Sequence, residues 1–273
     1  MTVEYLSAEH YQPKKDLSYV DVFDLYDIYD ALAFKANLVS VGPKGIGKSL
    51  SIQSWCAKND VPVITFDCSE DVRRNHLLGT FVLKGGDTPF VLGPLTTGFQ
   101  IANDVGKCVV VLEEVNALTP QMQKVLNSVA DFRKRIEVPE AGQVFELKDG
   151  SQLWLCGTMN TSLYGGVYSL NEDLKSRLRM MPLSYPSEDQ ERAIISKTMK
   201  VEERLVDQVL TLAKETRQTA TEYALSTRDV VQIIEDMLVC GPQKALWLAS
   251  GKFEESDRQF FTERVRSIYA IRS

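Results

Sequence analysis

Residues 37–51, Asn37-Leu38-Val39-Ser40-Val41-Gly42-Pro43-Lys44-Gly45-Ile46-Gly47-Lys48-Ser49-Leu50-Ser51, constrain this chain more than any other stretch. An apolar, strand-like run passes into a glycine-rich turn and then into residues with helical spacing. Gly42, Gly47, Lys48 and Ser49 fill the P-loop pattern G-x-x-x-x-G-K-S/T without a gap. A triphosphate is held by successive backbone N–H groups at a helix N-terminus, and only where no side chain blocks close approach. Gly42, Gly45 and Gly47 keep that approach open. Lys48 can reach the β and γ phosphates as a point charge, and the Ser49 hydroxyl can complete the oxygen coordination of Mg²⁺. The plainer reading is a Gly/Lys surface turn, but these fixed positions coincide by chance in roughly one chain of this length in a hundred. Leu38, Val39 and Val41 before the turn, and Ile52, Trp55 and Ala57 after it, supply the strand and helix that the phosphate cradle requires.

The rest of the composition narrows the class. With 273 residues and 44% hydrophobic content the chain can build one large domain or two small ones. A net charge of −6 argues against a standing nucleic-acid footprint. The local exception, Arg133-Lys134-Arg135, has the plain reading of cations in the last turn of a helix. Cys56, Cys68, Cys108, Cys156 and Cys240 form no C-x-x-C pair and read as buried thiols in a reducing compartment. His10 and His76 alone leave little to build a zinc site. No secretory pattern opens the chain and no apolar run approaches membrane-spanning length, so a soluble, cytoplasmic protein is expected.

Residues 1–19 are polar around Pro13-Lys14-Lys15 and predict an arm that docks loosely or on a neighbour. Val22, Leu25, Tyr26, Ile28, Tyr29 and Leu32 predict a helix from Asp21 to Lys35. Val61 to Phe66 predicts the second strand, with Asp67-Cys68-Ser69-Glu70 as its exit loop. In the glycine-punctuated stretch Asp71 to Gly98, the runs Thr80 to Lys84 and Pro89 to Leu92 predict a projecting hairpin across Gly85-Gly86. A decorated surface loop is the alternative.

Cys108 to Glu114 is an apolar run ending in two carboxylates. The C-terminal edge of a buried parallel strand opens on a ligand crevice, where paired acids are costly without a cation. Glu113 is therefore assigned to the metal, directly or through water, and Glu114 to the base that polarises the attacking water. Thr119-Pro120 opens a helix with Met122, Val125, Leu126, Val129 and Phe132 as its buried stripe. Ile136 to Val138 and Val144 to Leu147 predict a second hairpin across Glu140-Ala141-Gly142-Gln143. The strand Gln152 to Gly157 runs out at Asn160, which suits a hydrogen bond to the γ-phosphate or the lytic water, although a lone Asn is more often a turn residue.

Tyr164 to Ser169 is expected to be a flexible crossing into a helix from Asn171 to Leu178, whose end carries Arg177 and Arg179. Cations are commonplace there on dipole grounds alone. Beyond Tyr185 the texture becomes helical, with capping boxes at Ser187/Gln190 and Ser226/Asp229 and five helices in all. Val230, Val231, Ile233, Ile234, Met237 and Leu238 are expected to face inward. Arg228 stands in a first helical turn, where the dipole disfavours it, a cost that makes sense if it faces phosphates. The expected organisation is an arm at 1–19, an α/β nucleotide-binding domain at 20–185 and a helical lid at 186–273.

These elements, in this order and spacing, resemble an AAA+ ATPase: a parallel α/β sheet with two inserted hairpins followed by a small all-α lid. The P-loop, the loop Asp67 to Gly79, Val111-Leu112-Glu113-Glu114-Val115-Asn116, Thr158-Met159-Asn160 and Leu170 to Leu178 are similar to the MoxR group. The CbbQ/NirQ/GvpN branch looks nearest, and the AAA+ subunit of cobaltochelatase and the McrB motor are also similar. The resemblance implies that ATP lies on Gly42, Pro43, Lys44, Gly45, Ile46, Gly47, Lys48 and Ser49, with Leu50 following, and that Ser49 and Glu113 hold Mg²⁺. It implies Glu114 as catalytic base, Asn160 and Arg228 as sensors, and Arg177, with Arg179 as runner-up, as a finger reaching the adjacent subunit's nucleotide. It further implies a homo-oligomeric ring, a hexamer, with both hairpins at its central pore. The implied partner is a protein client or a von Willebrand A domain protein. One departure is Glu113, where the family usually has Asp, and this bears on hydrolysis rate more than on binding. Competing readings are a small-molecule kinase, a nucleotide-gated scaffold with little turnover, and a chelatase-type or DNA-acting motor subunit.

Overall fold

The computed structural model describes residues 3–15, 17–160, 168–219 and 223–269; of the crossing expected from Tyr164 to Ser169, residues 164–167 lie outside these. The chain groups into two compact units, one comprising Met1–Leu17, Asp24–Gly42 and Lys48–Leu183, the other Ser18–Phe23, Pro43–Gly47 and Ser184–Ser273.

In the first unit the elements run β1 (Val3–Glu4), α1 (Leu25–Leu32), β2 (Asn37–Val41), α2 (Lys48–Lys58), β3 (Val63–Asp67), α3 (Arg74–Leu78), β4 (Gly79–Phe81) and β5 (Phe90–Leu92). They continue as α4 (Pro94–Val105), β6 (Lys107–Glu113), α5 (Pro120–Ala130), β7 (Arg135–Val138), β8 (Gln143–Glu146), β9 (Gln152–Met159), α6 (Glu172–Lys175) and β10 (Leu178–Pro182). Five strands form one sheet in the order β10-β2-β9-β6-β3, with every neighbouring pair parallel. That order puts β2, which delivers the glycine-rich turn, between β10 and β9, so the turn leaves from inside the sheet. Cys108 to Leu112 on β6 are buried throughout, as a strand covered on both faces must be. On one side Trp154 packs edge-on against Tyr29 and Trp55, and its indole N–H is satisfied by the Ala36 carbonyl at 2.8 Å.

Several expectations need correction. The N-terminal residues are not a loose arm: β1 adds parallel to β5 in a small sheet of order β1-β5-β4, and Glu4 pairs with Lys84 at 2.9 Å. The glycine-punctuated stretch hides two helices, α3 and α4. Helix α4 escapes periodicity because it carries Gly98, Thr96 and Thr97 on its buried face, residues that score poorly for helix. Gly98 is required there, since a Cβ would lie 2.5 Å from Val110 Cγ2, so the helix approaches the sheet too closely for any side chain. The first hairpin forms as expected, closed by mutual backbone bonds between Lys84 and Asp87, with Gly85 and Gly86 both at positive φ as a type I′ turn demands.

The second hairpin pairs β7 with β8 antiparallel. Helix α5 opens as expected, Thr119 accepting from the Met122 N–H, but it ends at Ala130. Phe132 is therefore 91% exposed rather than part of the stripe, and Arg133-Lys134-Arg135 lie beyond the helix, Lys134 with a left-handed φ of 44°. Arg177 and Arg179 do not close a helix either: α6 stops at Lys175, and Arg179 sits on β10, a strand that sequence periodicity did not reveal.

The second unit contains α7 (Glu188–Thr198), α8 (Glu203–Gln218), α9 (Thr227–Cys240), α10 (Pro242–Ser250) and α11 (Glu255–Tyr269) around their own core of Val209, Leu210, Ala213, Ile233, Ile234 and Phe261. Both expected capping boxes are present. Leu238 departs from expectation, being 53% exposed on α9. The start of α9 is fixed by a buried ion pair. Arg217 grips Glu191 with both Nη groups at 2.9 and 2.8 Å and donates from Nε to the Leu225 carbonyl, while the Thr227 hydroxyl donates to the same carboxylate at 2.7 Å. Removing one member of a buried pair leaves the other charge unpaired, at a cost of about 3–5 kcal/mol. Glu191→Ala is thus expected to destabilise the helical unit by about that much. Urea unfolding, compared with the far milder exposed change Glu255→Ala, measures it.

Candidate nucleotide site

The C-terminal ends of β2, β9 and β6 lie side by side, and three polar side chains there join in one chain of hydrogen bonds. Gly42, just past β2, donates its N–H to the Met159 carbonyl at 3.1 Å. Lys48 folds back to donate to the Gly42 carbonyl at 2.9 Å and to Asn160 Oδ1 at 3.1 Å. Asn160 in turn donates from Nδ2 to Glu114 Oε1 at 2.9 Å. An ammonium can only donate and a carboxylate can only accept, so the orientation of the amide between them is forced. Lys48 and Asn160 are buried, whereas Glu114 is exposed.

Glu114 holds a left-handed backbone, φ 52°, which a non-glycine residue adopts only when its surroundings impose it. Its N–H donates to Thr158 Oγ1 at 3.2 Å, and its carbonyl accepts from the Ala117 N–H at 2.7 Å. Asn116 donates from Nδ2 to the Asn160 carbonyl at 3.3 Å. Thr158 and Asn116 thus hold the backbones of Glu114 and Asn160, contacts that sequence reasoning did not assign. Their only signal was a polar residue inside or just beyond an otherwise apolar strand.

The turn itself needs its glycines for two reasons. Gly45 and Gly47 have φ of +71° and +91°. Gly45 is also sterically committed, because a Cβ would lie 2.3 Å from Ser226 Oγ, and its carbonyl accepts the Arg228 N–H at 3.1 Å. The first turn of α9 therefore rests on this glycine, with the Arg228 side chain exposed. Helix α2 begins at Lys48, so its N-terminal N–H groups face the loop. Pro43, Lys44, Ile46 and Leu50 complete the turn and its exit, Ile46 buried and Lys44 exposed.

Ser49 stands in the first turn of α2, and Glu113 is the last residue of β6, in register with Asp67 of β3. These are hydroxyl and carboxylate oxygens only, the donor chemistry that suits Mg²⁺. Among the described residues no group of three or more His, Cys, Asp or Glu closes a metal cage.

The AAA domain (dynein-related subfamily) matches residues 37–178, more than half of the chain. The chain belongs to this AAA family. At the level of the family this makes it a nucleotide-binding protein of the ATPase class. It is 27% identical over 232 residues to the protein YojN of Bacillus subtilis (strain 168), covering 81% of this chain and 74% of that one. A Staphylococcus aureus (strain NCTC 8325 / PS 47) protein is 23% identical over 252 residues, covering 88% of this chain and 90% of its own. The fold is similar to the crystal structure of a protein from Cytophaga hutchinsonii ATCC 33406 titled a "putative ATPase", with a TM-score of 0.51 and 14% identity over 95% of this chain and 82% of that one.

In this AAA protein Arg177 lies away from the Lys48–Asn160–Glu114 chain, in the turn between α6 and β10. Its backbone is stapled to the sheet by Asn37, the first residue of β2, which donates from Nδ2 to the Ala130 carbonyl at 2.8 Å and to the Arg177 carbonyl at 3.4 Å. Lys134 donates to Asn37 Oδ1 at 2.7 Å and is buried enough that desolvation pulls its pKa down to about 8.

Asn160→Ala is expected to keep nucleotide binding and lower hydrolysis roughly 10²-fold, the usual cost of one preorganised donor, whereas Lys48→Ala removes binding itself. Fluorescent-nucleotide titration and phosphate release separate the two effects. Lys134 is protonated more weakly in the folded chain than in the unfolded chain, so above pH 8 the unfolded state binds the extra proton and folding gains stability until the unfolded pKa is passed. Thermal unfolding from pH 7.5 to 10 should therefore favour the natural chain progressively over Lys134→Met, which carries no proton to lose.

Proposed function

We propose that this AAA protein is a ring-forming ATPase of the MoxR type that hydrolyses ATP at subunit interfaces to remodel or activate a protein partner. The observation that carries the reading is the bonded chain Lys48–Asn160–Glu114 at the edge of the parallel sheet, directly beside the glycine turn. The P-loop N–H groups and Lys48 bind and orient the phosphates. Glu114 accepts a proton from the attacking water, and Asn160 holds that water and the γ-phosphate in line. Ser49 and Glu113 would hold Mg²⁺, which when bound supplies positive charge to the β and γ phosphate oxygens. Arg228 would act as a second contact to the phosphates. Glu114 and Asn160 come from one subunit, while Arg177 would complete the neighbour's site, with Arg179 as its alternative.

A protein client is favoured over DNA by the net charge of −6 and by apolar exposure at the first hairpin, where Leu83 is 79% exposed beside Val82. The MoxR resemblance points to a client of that kind or to a von Willebrand A domain partner, and to a hexamer. No described helix is long and apolar enough to cross a membrane; the proposed place of action is the cytoplasm. A scaffold that binds ATP and turns over slowly is the second reading, favoured by Glu113 in place of the usual Asp.

A finger supplied by a neighbour contributes roughly 10³ to 10⁵ in rate, so activity per subunit should rise steeply with concentration as rings assemble. Light scattering and phosphate release on one dilution series check this. A monomer that hydrolyses ATP briskly with Arg177 and Arg179 both changed to Ala would end the ring reading.

A further inference from the structure

Asp131 joins two arginines through one carboxylate. It caps the C-terminus of α5, and it accepts the Arg133 N–H at 3.1 Å and Arg133 Nε at 3.0 Å on Oδ1. Its other oxygen, Oδ2, lies 3.5 Å from Arg177 Nε. The N–H and guanidinium of Arg133 hold its carboxyl below the usual carboxylate range, so it is ionised across the physiological range. Its side chain is only 11% exposed, which leaves it no room to swing.

Arg177 meets this carboxylate by its inner edge. Nε faces Asp131 and Nη1 donates to the Asp173 carbonyl, while Nη2 has no bond among the described residues. The side chain keeps 33% exposure. A guanidinium is a rigid planar fork with five N–H donors, so fixing Nε and Nη1 aims the remaining corner. A contact that stored the residue away would have consumed the Nη2 corner. The charge is also preserved, since two cations share one anion. Arg179, exposed on β10, has no ion pair among the described residues and no comparable support.

We propose that Asp131 is the positioning residue for Arg177, holding its guanidinium fork with the free corner outward toward the nucleotide of the adjacent subunit. The inference rests on the shared-site reading of the ring. With Asp131 removed the long side chain samples its other rotamers, and misplacement of a transition-state contact by about 1 Å costs roughly 10²-fold.

Mixed assemblies test it. Glu114→Gln subunits have a finger and no base, and Arg177→Ala subunits have a base and no finger, so mixing them restores hydrolysis only at interfaces that share a site. Asp131→Ala added to the Glu114→Gln donor should lower the restored rate at least roughly tenfold. The same change in the Arg177→Ala acceptor, which has no finger to hold, should leave the restored rate where it was. A merely structural role would lower both arms, and that result, or no loss in either arm, overturns the inference. Asp131→Asn, which keeps an acceptor for the Arg133 N–H, repeats both arms if the Ala variant fails to fold. If the parent mixture restores nothing before Asp131 is touched, the shared-site reading itself fails and this inference falls with it.

Discussion

A lysine that can only donate and a carboxylate that can only accept are connected in this chain by the amide of Asn160. Glu114 and Asn160 lie 46 positions apart in sequence and Lys48 and Asn160 112, yet each donor atom stands within 3.1 Å of the next acceptor. Such a connection is possible only because β2, β9 and β6 are consecutive in a parallel sheet, so that their C-terminal ends open on the same edge. The strand order is thus the condition for the chemistry, and the burial of β6 and β9 is the condition for the strand order. At this edge Glu114 has a left-handed backbone, and Asn116 Oδ1 is buried with no hydrogen-bond partner among the described residues.

The glycine turn obeys a second constraint. Gly45 must be glycine for its φ and again for the Ser226 side chain that occupies the place of a Cβ, and its carbonyl receives the Arg228 N–H. The phosphate-binding turn and the first turn of α9 are therefore one packed feature. The Glu191–Arg217 pair, the Thr227 hydroxyl and the capping box of Ser226 and Asp229 hold that turn in place. A helix start so heavily braced carries Arg228 against its own dipole, and the bracing offsets the local cost.

The errors in reading the sequence share a physical origin. Helix α4 escapes the sequence reading because Thr96, Thr97 and Gly98, poor helix formers, interrupt its buried face, Gly98 being fixed by the close approach to Val110. Phe132 was assigned to a buried stripe because periodicity does not know that Asp131 ends the helix. Arg179, expected at the end of a helix, lies on β10, a short edge strand whose register partner on β2, Leu38, is 141 residues earlier and beyond any local signal. The N-terminal residues pair with β5 through backbone bonds, which no composition argument reveals.

The glycine-rich turn, the acidic strand end, the asparagine strand end, both hairpins and the capping boxes of α7 and α9 are legible from residue order alone, because each depends on local backbone geometry or on the period of a single element. What the tertiary structure decided was which ends meet: that Asn160 stands between Lys48 and Glu114, that Thr158 and Asn116 bond the backbones of Glu114 and Asn160, and that Arg177, in the turn after α6, lies beside the Asp131 carboxylate. Those contacts join residues from separate strands and helices, and the energy that selects them arises only when the sheet has assembled and water has left its edge.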